Sequence, residues 1–169
     1  YNPHSPLFFK AILSERVRSI LEAYMGLKPY LVEAYTRRNF PAEFKVMNHH
    51  WHRDTNNKFF LLKAFLFLND CTLKNGPHNY IKGSHKDLSL NGKVYYSNEE
   101  VEKNYDTKTD LILSEVKAGT LIIEDTRGLH RAGIPLEGHR DLMYGIFFPL
   151  KFTTQLKTSY YSIEKEVYK

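Results

Sequence analysis

The stretch Asn48-His49-His50-Trp51-His52-Arg53-Asp54 carries the most information in this 169-residue chain, because it places a histidine and an aspartate two residues apart. The alternating character of the sequence around it predicts a strand from Phe44 to His52. Side chains of a strand point alternately to its two faces, so every second residue shares a face. The residues expected on the face that carries the site are Asn48, His50, His52 and Asp54.

A second histidine from a distant part of the chain would complete a site of two histidines and one carboxylate. Such a facial triad is typical of non-haem Fe(II) oxygenases. His130 is the candidate to join His52 and Asp54. A His-x-Asp pair alone is weak evidence, since eight histidines and nineteen acidic residues produce such pairs by chance. Both histidines have the alternative of being structural core residues, so the surrounding sequence has to decide.

Composition predicts a single domain over residues 1–169, because a chain of this length with 42% hydrophobic residues can bury one sizeable core. The sequence begins at Tyr1 without a methionine, which leaves room for an upstream segment. The net charge of +5 is spread thinly, and Arg37-Arg38 is the only arginine doublet. We therefore expect no nucleic-acid binding, and the positive charge suits a small acidic co-substrate.

Cysteine content and hydropathy limit the environment of the chain. Cys71 is the only cysteine, which excludes an internal disulfide framework and a cysteine zinc site and predicts a reducing, cytoplasmic compartment. The longest apolar run, Phe59 to Leu68, contains Lys63 and is too short to span a bilayer as a helix. We expect no membrane span, and the sequence does not indicate an oligomeric state.

Capping and turn residues predict helices at the front and strands after them. Ser5-Pro6 and Ser14-Glu15 are typical helix starts, and Gly26 can end the second helix in a left-handed turn. The polar excursion 86–110 is expected to hold a short helix near Asn98 and to cover a site. The predicted strands lie at 30–35, 44–52, 59–68, 80–82, 111–113, 121–123, 142–150 and 153–161. This order favours a mainly β sandwich or jelly roll with helices packed outside.

Several ordered motifs resemble the phytanoyl-CoA dioxygenase-like family of Fe(II)/2-oxoglutarate oxygenases. They are Trp51-His52-Arg53-Asp54, Leu68-Asn69-Asp70-Cys71-Thr72, Asn75-Gly76-Pro77 leading to Gly83-Ser84-His85-Lys86, and Gly119-Thr120-Leu121-Ile122-Ile123-Glu124-Asp125 leading to His130-Arg131-Ala132-Gly133 and Arg140. The departures are Lys82 in place of a proline, His78 in place of an apolar residue and Thr120 in place of an aspartate. None of these three is a candidate ligand.

The resemblance implies a double-stranded β-helix of the jelly-roll, cupin-like type, in which His52, Asp54 and His130 hold Fe(II). It also implies 2-oxoglutarate as co-substrate and molecular oxygen as oxidant, with release of succinate and carbon dioxide. The expected activity is hydroxylation of an unactivated C–H bond in a small or medium organic substrate. Related halogenases lack the carboxylate, so Asp54 favours hydroxylation.

The far carboxylate of 2-oxoglutarate needs a fixed cation, and the planar fork of arginine suits it. By resemblance Arg140 takes this role, with Arg131 and Arg127 as rivals. Asn48 and His50 are expected to contact co-substrate or substrate, or to support the ligands by hydrogen bonds. Two alternatives remain: a non-catalytic jelly-roll binding module, and a cupin-like metalloenzyme that does not use 2-oxoglutarate. The substrate cannot be read from the sequence.

Overall fold

The computed structural model describes residues 6–55, 60–87 and 89–149, and within them two antiparallel sheets dominate. The larger sheet has the order β1-β7-β2-β5 and the smaller sheet the order β4-β3-β6. The strands are β1 (Pro29–Asn39), β2 (Leu62–Phe67), β3 (His78–Ile81), β4 (Leu111–Leu113), β5 (Leu121–Asp125), β6 (His130–Ala132) and β7 (Arg140–Pro149). The last strand predicted from the sequence, 153–161, lies outside the described residues.

Two helices at the front, α1 (Pro6–Ile12) and α2 (Glu15–Met25), form as the capping residues predict. The Ser14 hydroxyl accepts a hydrogen bond from the Val17 amide at 3.4 Å, which satisfies a free donor in the first turn of α2. Gly26 ends the same helix with a φ of 67°, a left-handed conformation that glycine adopts without steric cost. No helix in the described residues is long and apolar enough to cross a bilayer.

The larger sheet has a hydrophobic outer face and an inner face that carries most of the polar side chains, because successive side chains alternate between the two faces of each strand. The outer face packs against α1 and α2 in a core of Phe8, Ile12, Val17, Leu21, Met25, Leu62, Ala64, Met143 and Phe147. Each fully buried side chain of this kind contributes roughly 1.5–3 kcal/mol. The inner face lines a cavity with Arg37, Asn39, Lys63, Phe65, Arg140, Leu142 and Tyr144.

The polar excursion forms two short helices, α3 (Asn98–Asn104) and α4 (Thr107–Asp110), and the first of them confirms the helix predicted near Asn98. A second hydrophobic cluster joins this excursion to the rest of the fold through Trp51, Ile81, Leu90, Tyr96, Val101 and Leu129. The excursion also carries Tyr95 to the wall of the cavity, as expected for a segment that covers a site.

The strand predicted from Phe44 to His52 is wrong. The backbone forms a 3₁₀ turn at Met47–His49, and of this segment only Trp51 and His52 form isolated β-bridges, to Tyr96 and to His130. Met47 has a φ of 32°, so the extended conformation is interrupted in the middle of the predicted strand. The alternation argument therefore fails for Asn48 and His50, and the positions of His52 and Asp54 have a different cause.

Candidate metal centre

His52 and His130 are brought together by the backbone. The amide of each residue donates a hydrogen bond to the carbonyl of the other, and both distances are 3.0 Å. In an antiparallel pair that exchanges both hydrogen bonds, the two side chains leave from the same face. The imidazole ring centroids consequently lie 4.3 Å apart, although the residues are 78 positions apart in the sequence (130 − 52). This backbone pair is what places the two rings side by side.

The Nδ1 atom of each ring is hydrogen-bonded to a backbone carbonyl, which leaves Nε2 available to bind a metal. The Nδ1 atom of His52 lies 2.8 Å from the His50 carbonyl, and that of His130 lies 2.9 Å from the Gly128 carbonyl. A carbonyl only accepts, so each Nδ1 carries the proton and each Nε2 has a free lone pair. The Nε2 atoms lie 3.8 Å and 3.7 Å from the carboxylate oxygens of Asp54.

The three side chains meet the requirements of a divalent metal site. Their candidate ligand atoms all lie within 4.8 Å of one another. Burial lowers the pKa of His130 to about 4 and also lowers that of His52, so both imidazoles are neutral near pH 7. Burial alone would raise the pKa of Asp54, but His130 and the Lys63 ammonium lower it to about 2. The donor set is thus two neutral nitrogens and one carboxylate, typical of Fe(II)/2-oxoglutarate enzymes.

Two charged side chains beside the triad have roles that the sequence did not reveal. Lys63, the charged residue within the apolar run 59–68, places its Nζ 2.6 Å from Asp54 Oδ2. Glu124 is buried on β5, and its Oε2 lies 2.8 Å from the Nε2 of His78. This pair explains why a histidine stands where an apolar residue is usual, since a buried carboxylate needs a partner. Burial would raise the pKa of Glu124, but His78 holds it below its ordinary value.

A cavity of about 260 Å³ extends from the triad along the inner face of the larger sheet. Arg140 lies in its wall at the first position of β7, with only 1% of its surface exposed. Within the described ranges its guanidinium donates one hydrogen bond, to the Gly133 carbonyl at 3.2 Å, and its Nε has no hydrogen-bond partner. Burial lowers the Arg140 pKa to about 10, which still leaves it charged at pH 7. An incompletely paired buried cation in a cavity wall fits an anionic ligand.

The rival arginines are already committed to structural contacts. Arg127 pairs with Asp125 through its Nε and Nη2 at 2.5–3.1 Å and lies over the Phe60 ring. Arg131 lies over the Trp51 ring at 4.4 Å and donates to two asparagine side chains. Neither lines the cavity that contains the triad, whereas Arg140 does.

The two neighbours of His49 have different environments. Asn48 lines the cavity together with the triad. His50 lies instead in a second cleft beside Trp51 and Arg131, where its ring packs 5.5 Å from that of Tyr95. The 3₁₀ turn separates them, so they do not share the face that a strand would have given them. Asn48 remains a candidate for co-substrate binding, and the carbonyl of His50 orients the His52 ring.

Arg53 is a structural residue that the sequence reasoning missed, although it stands inside the central motif. Its guanidinium donates to the carbonyls of Leu90, Ser84, Arg127 and Asp87 at 2.6–2.9 Å. The carbonyls of Asp87 and Leu90 belong to the polar excursion 86–110. That of Ser84 belongs to the turn that precedes the excursion, and that of Arg127 belongs to the loop between β5 and β6. Arg53 thereby fixes the segment that carries His52 and Asp54 against its surroundings. Position next to a ligand is the one signal that pointed to it.

Replacing Arg53 with methionine is expected to lower the free energy of unfolding by about 3 kcal/mol, because four carbonyls, three of them in partly buried hydrogen bonds, lose a charged donor. For a chain of this length that corresponds to a fall in Tm of roughly 6–12 °C, measured by thermal unfolding followed by circular dichroism. Arg18→Met is the matched control, since Arg18 is exposed on α2. Equal Tm shifts in the two variants would show that these hydrogen bonds do not stabilise the fold.

Sequence and structure comparisons agree with this geometry. The sequence profile of the family described as phytanoyl-CoA dioxygenase (PhyH) matches residues 2–134. A search among curated proteins gave no significant match. Three solved structures are similar in fold. EctD from S. alaskensis with 2-oxoglutarate and 5-hydroxyectoine has a TM-score of 0.71 and 18% identity, covering 88% of this chain and 54% of that chain.

HygX from Streptomyces hygroscopicus with nickel and 2-oxoglutarate bound has a TM-score of 0.63 and 20% identity, covering 95% of this chain and 76% of that chain. The non-heme alpha ketoglutarate dependent epimerase SnoN from nogalamycin biosynthesis has a TM-score of 0.62 and 16% identity, covering 86% and 57%. The chain thus spans only a little over half the length of EctD and SnoN. These similarities confirm the predicted mainly β, double-stranded β-helix fold.

Proposed function

The chain belongs to the phytanoyl-CoA dioxygenase (PhyH) family, and on that premise we propose that it is an Fe(II)- and 2-oxoglutarate-dependent hydroxylase of a small or medium organic substrate. The observation that carries the proposal is one cavity that contains both the triad and Arg140. A metal site alone would not require a buried arginine, and a buried arginine alone would not require a metal. Their presence in one cavity fits a metal-bound dicarboxylic acid.

In this proposal His52, Asp54 and His130 would hold Fe(II) through two imidazole nitrogens and one carboxylate. Arg140 anchors the far carboxylate of 2-oxoglutarate, and Asn48 contacts the co-substrate from the cavity wall. The bound iron and 2-oxoglutarate supply the oxidising power that protein side chains lack, consuming oxygen and releasing succinate and carbon dioxide. Phe65 and Leu142 supply apolar wall beside these groups.

The contacts of the triad support this assignment over the two alternatives. A non-catalytic binding module gives no reason for two Nε2 atoms and a carboxylate to converge on one point with both Nδ1 atoms bonded to carbonyls. A metalloenzyme that does not use 2-oxoglutarate gives no reason for a buried Arg140 whose Nε has no partner in the part of the chain that the structure describes. The carboxylate of Asp54 favours hydroxylation over halogenation, since it fills the position that a halide would need.

Anaerobic addition of Fe(II) and 2-oxoglutarate, followed by oxygen, tests the proposal directly. We expect both to bind, and we expect succinate to form slowly in the absence of substrate. Binding is measured by calorimetry before oxygen is admitted, and succinate is measured by chromatography afterwards. Glutarate at the same concentration is the control for a non-specific effect of a dicarboxylic acid, because it lacks the keto oxygen of 2-oxoglutarate. If neither Fe(II) nor 2-oxoglutarate binds, the proposed function is wrong.

A further inference from the structure

The outer part of the cavity carries more positive charge than the proposed co-substrate requires. Among the described residues that line it, Arg37, Lys63 and Arg140 are cations and Asp54 is the only carboxylate. Fe(II) with charge +2 and 2-oxoglutarate with charge −2 cancel, and Asp54 offsets one of the three protein cations, since it pairs with Lys63. Two positive charges of the cavity wall then remain without a negative charge in the cavity to balance them.

Arg37 and Lys63 lie on the two strands that flank the strand of Tyr144. Tyr144 stands on β7, between β1, which carries Arg37, and β2, which carries Lys63. The Lys63 Nζ and the Arg37 guanidinium carbon are each 5.9 Å from the centre of the Tyr144 ring. All three side chains line the cavity, so they form one cationic wall. The wall begins at Asp54, which Lys63 contacts, and ends at the exposed side chain of Arg37.

Among the described residues Asp54, which pairs with Lys63, is the one carboxylate that contacts this wall. Glu124 lies close to Lys63 across the β2–β5 pair, but it is paired with His78. Glu33 lies on β1, but it accepts a hydrogen bond from the Tyr35 hydroxyl and does not line the cavity. Within the described part of the chain Arg37 makes no ion pair with a carboxylate. Lysine in the inner face of a core strand is costly to bury unless it has a partner.

We propose that Lys63 and Arg37, on either side of Tyr144, bind an anionic group of the substrate, a carboxylate or a phosphate monoester, beside the metal. This inference rests on the proposed function, in which Arg140 binds the far carboxylate of 2-oxoglutarate and is therefore not available to the substrate. The anion lies against Lys63 on the side of the cavity towards Tyr144, and Asp54 shares the same ammonium. An acidic substrate is thereby held with its remaining carbon chain next to the triad.

Matched acid and neutral probes test the charge preference. Hexanoate is compared with hexanamide, and propyl phosphate with 1-propanol, by anaerobic calorimetry on protein loaded with Fe(II) and saturated with 2-oxoglutarate. We expect each anion to bind at least about tenfold more tightly than its neutral partner, the scale of one partly buried charge pair. In Lys63→Met this preference is expected to fall below threefold, and in Lys63→Arg to persist. Arg37→Gln is expected to reduce it partially.

Arg38→Gln is the matched control, since Arg38 pairs with Asp141 and does not line the cavity. It should keep the preference. The affinity for 2-oxoglutarate is measured separately for each variant, because the nearer carboxylate of the co-substrate is the other anion that Lys63 could contact. Loss of 2-oxoglutarate affinity in Lys63→Met with an unchanged acid preference would assign Lys63 to the co-substrate and overturn the inference.

The inference and the proposed function fail in different ways. If the unmodified protein binds neither Fe(II) nor 2-oxoglutarate, the proposed function is wrong and the charge count loses its basis. If it binds both but shows equal affinity for acids and neutral probes, only the anionic subsite is wrong. The anionic subsite is also wrong if Lys63→Met and Arg37→Gln both keep the full preference for acids over neutral probes.

Discussion

Replacing His130 with alanine is expected to abolish Fe(II) binding and with it the formation of succinate. The Nε2 of His130 is one of three proposed ligands, and a site with two ligands has neither the affinity nor the facial geometry of three. Altering groups that merely support a metal ligand costs about 10–100-fold in affinity, so we expect the Kd for Fe(II) to rise by more than about 100-fold. Turnover should fall by at least about 1,000-fold, since bound metal supplies several kcal/mol of stabilisation.

The fold should survive this change, because His130 pairs with His52 through backbone atoms that alanine retains. His139→Ala is the matched control: its ring is 40% exposed and does not line the cavity. Metal affinity is measured by anaerobic calorimetry and folding by circular dichroism. Wild-type affinity in His130→Ala, with the same result in His52→Ala, would show that the triad does not bind the metal.

The sequence pointed to the three residues of the triad, but it did not show which contacts bring them together. Residue spacing suggested a strand whose alternation would align His52 with Asp54, but that segment turns at Met47. The alignment comes from backbone hydrogen bonds to β6 and to the Thr126 carbonyl. Such pairings join residues more than seventy positions apart, and no local pattern encodes them. The order of the family-like motifs pointed to the same three residues that the structure brings together, because chains with this order of motifs share these pairings; that the three residues bind a metal stays a prediction.

The same limit explains what was missed in the cavity. The strands predicted at 111–113 and 121–123 are present as β4 and β5, yet they lie in different sheets, so the neighbours of each strand could not be inferred from their order in the sequence. Whether Lys63 would reach solvent or an anion depended on the register of β2 against β5 and β7, which the apolar run does not specify. The contact of Lys63 with Asp54, and the pairing of Glu124 with His78, therefore needed coordinates.

Arg140→Met is expected to separate stability from function. Removing the proposed anchor of the far carboxylate should raise the Kd for 2-oxoglutarate by at least about 100-fold, because a desolvated charge pair at a binding site is worth about 2–5 kcal/mol. Fe(II) affinity in the absence of 2-oxoglutarate should change little, since Arg140 is not one of the ligands. Arg140→Lys should lose less, because the charge remains while the two-pronged geometry is lost.

Arg140→Met should weaken the binding of 2-oxoglutarate but should not lower the free energy of unfolding. Arg140 is almost fully buried, its pKa is lowered by that burial, and no carboxylate among the described residues pairs with it. Methionine of similar length relieves the cost of burying that charge, so the protein without ligand should have an equal or higher Tm. Arg38→Met, which removes an exposed pair with Asp141, is the control and should leave the Kd for 2-oxoglutarate unchanged. A lower Tm in Arg140→Met together with unaltered 2-oxoglutarate affinity would mean that this arginine serves the fold, and the cavity would then lack its anchor for a dicarboxylic acid.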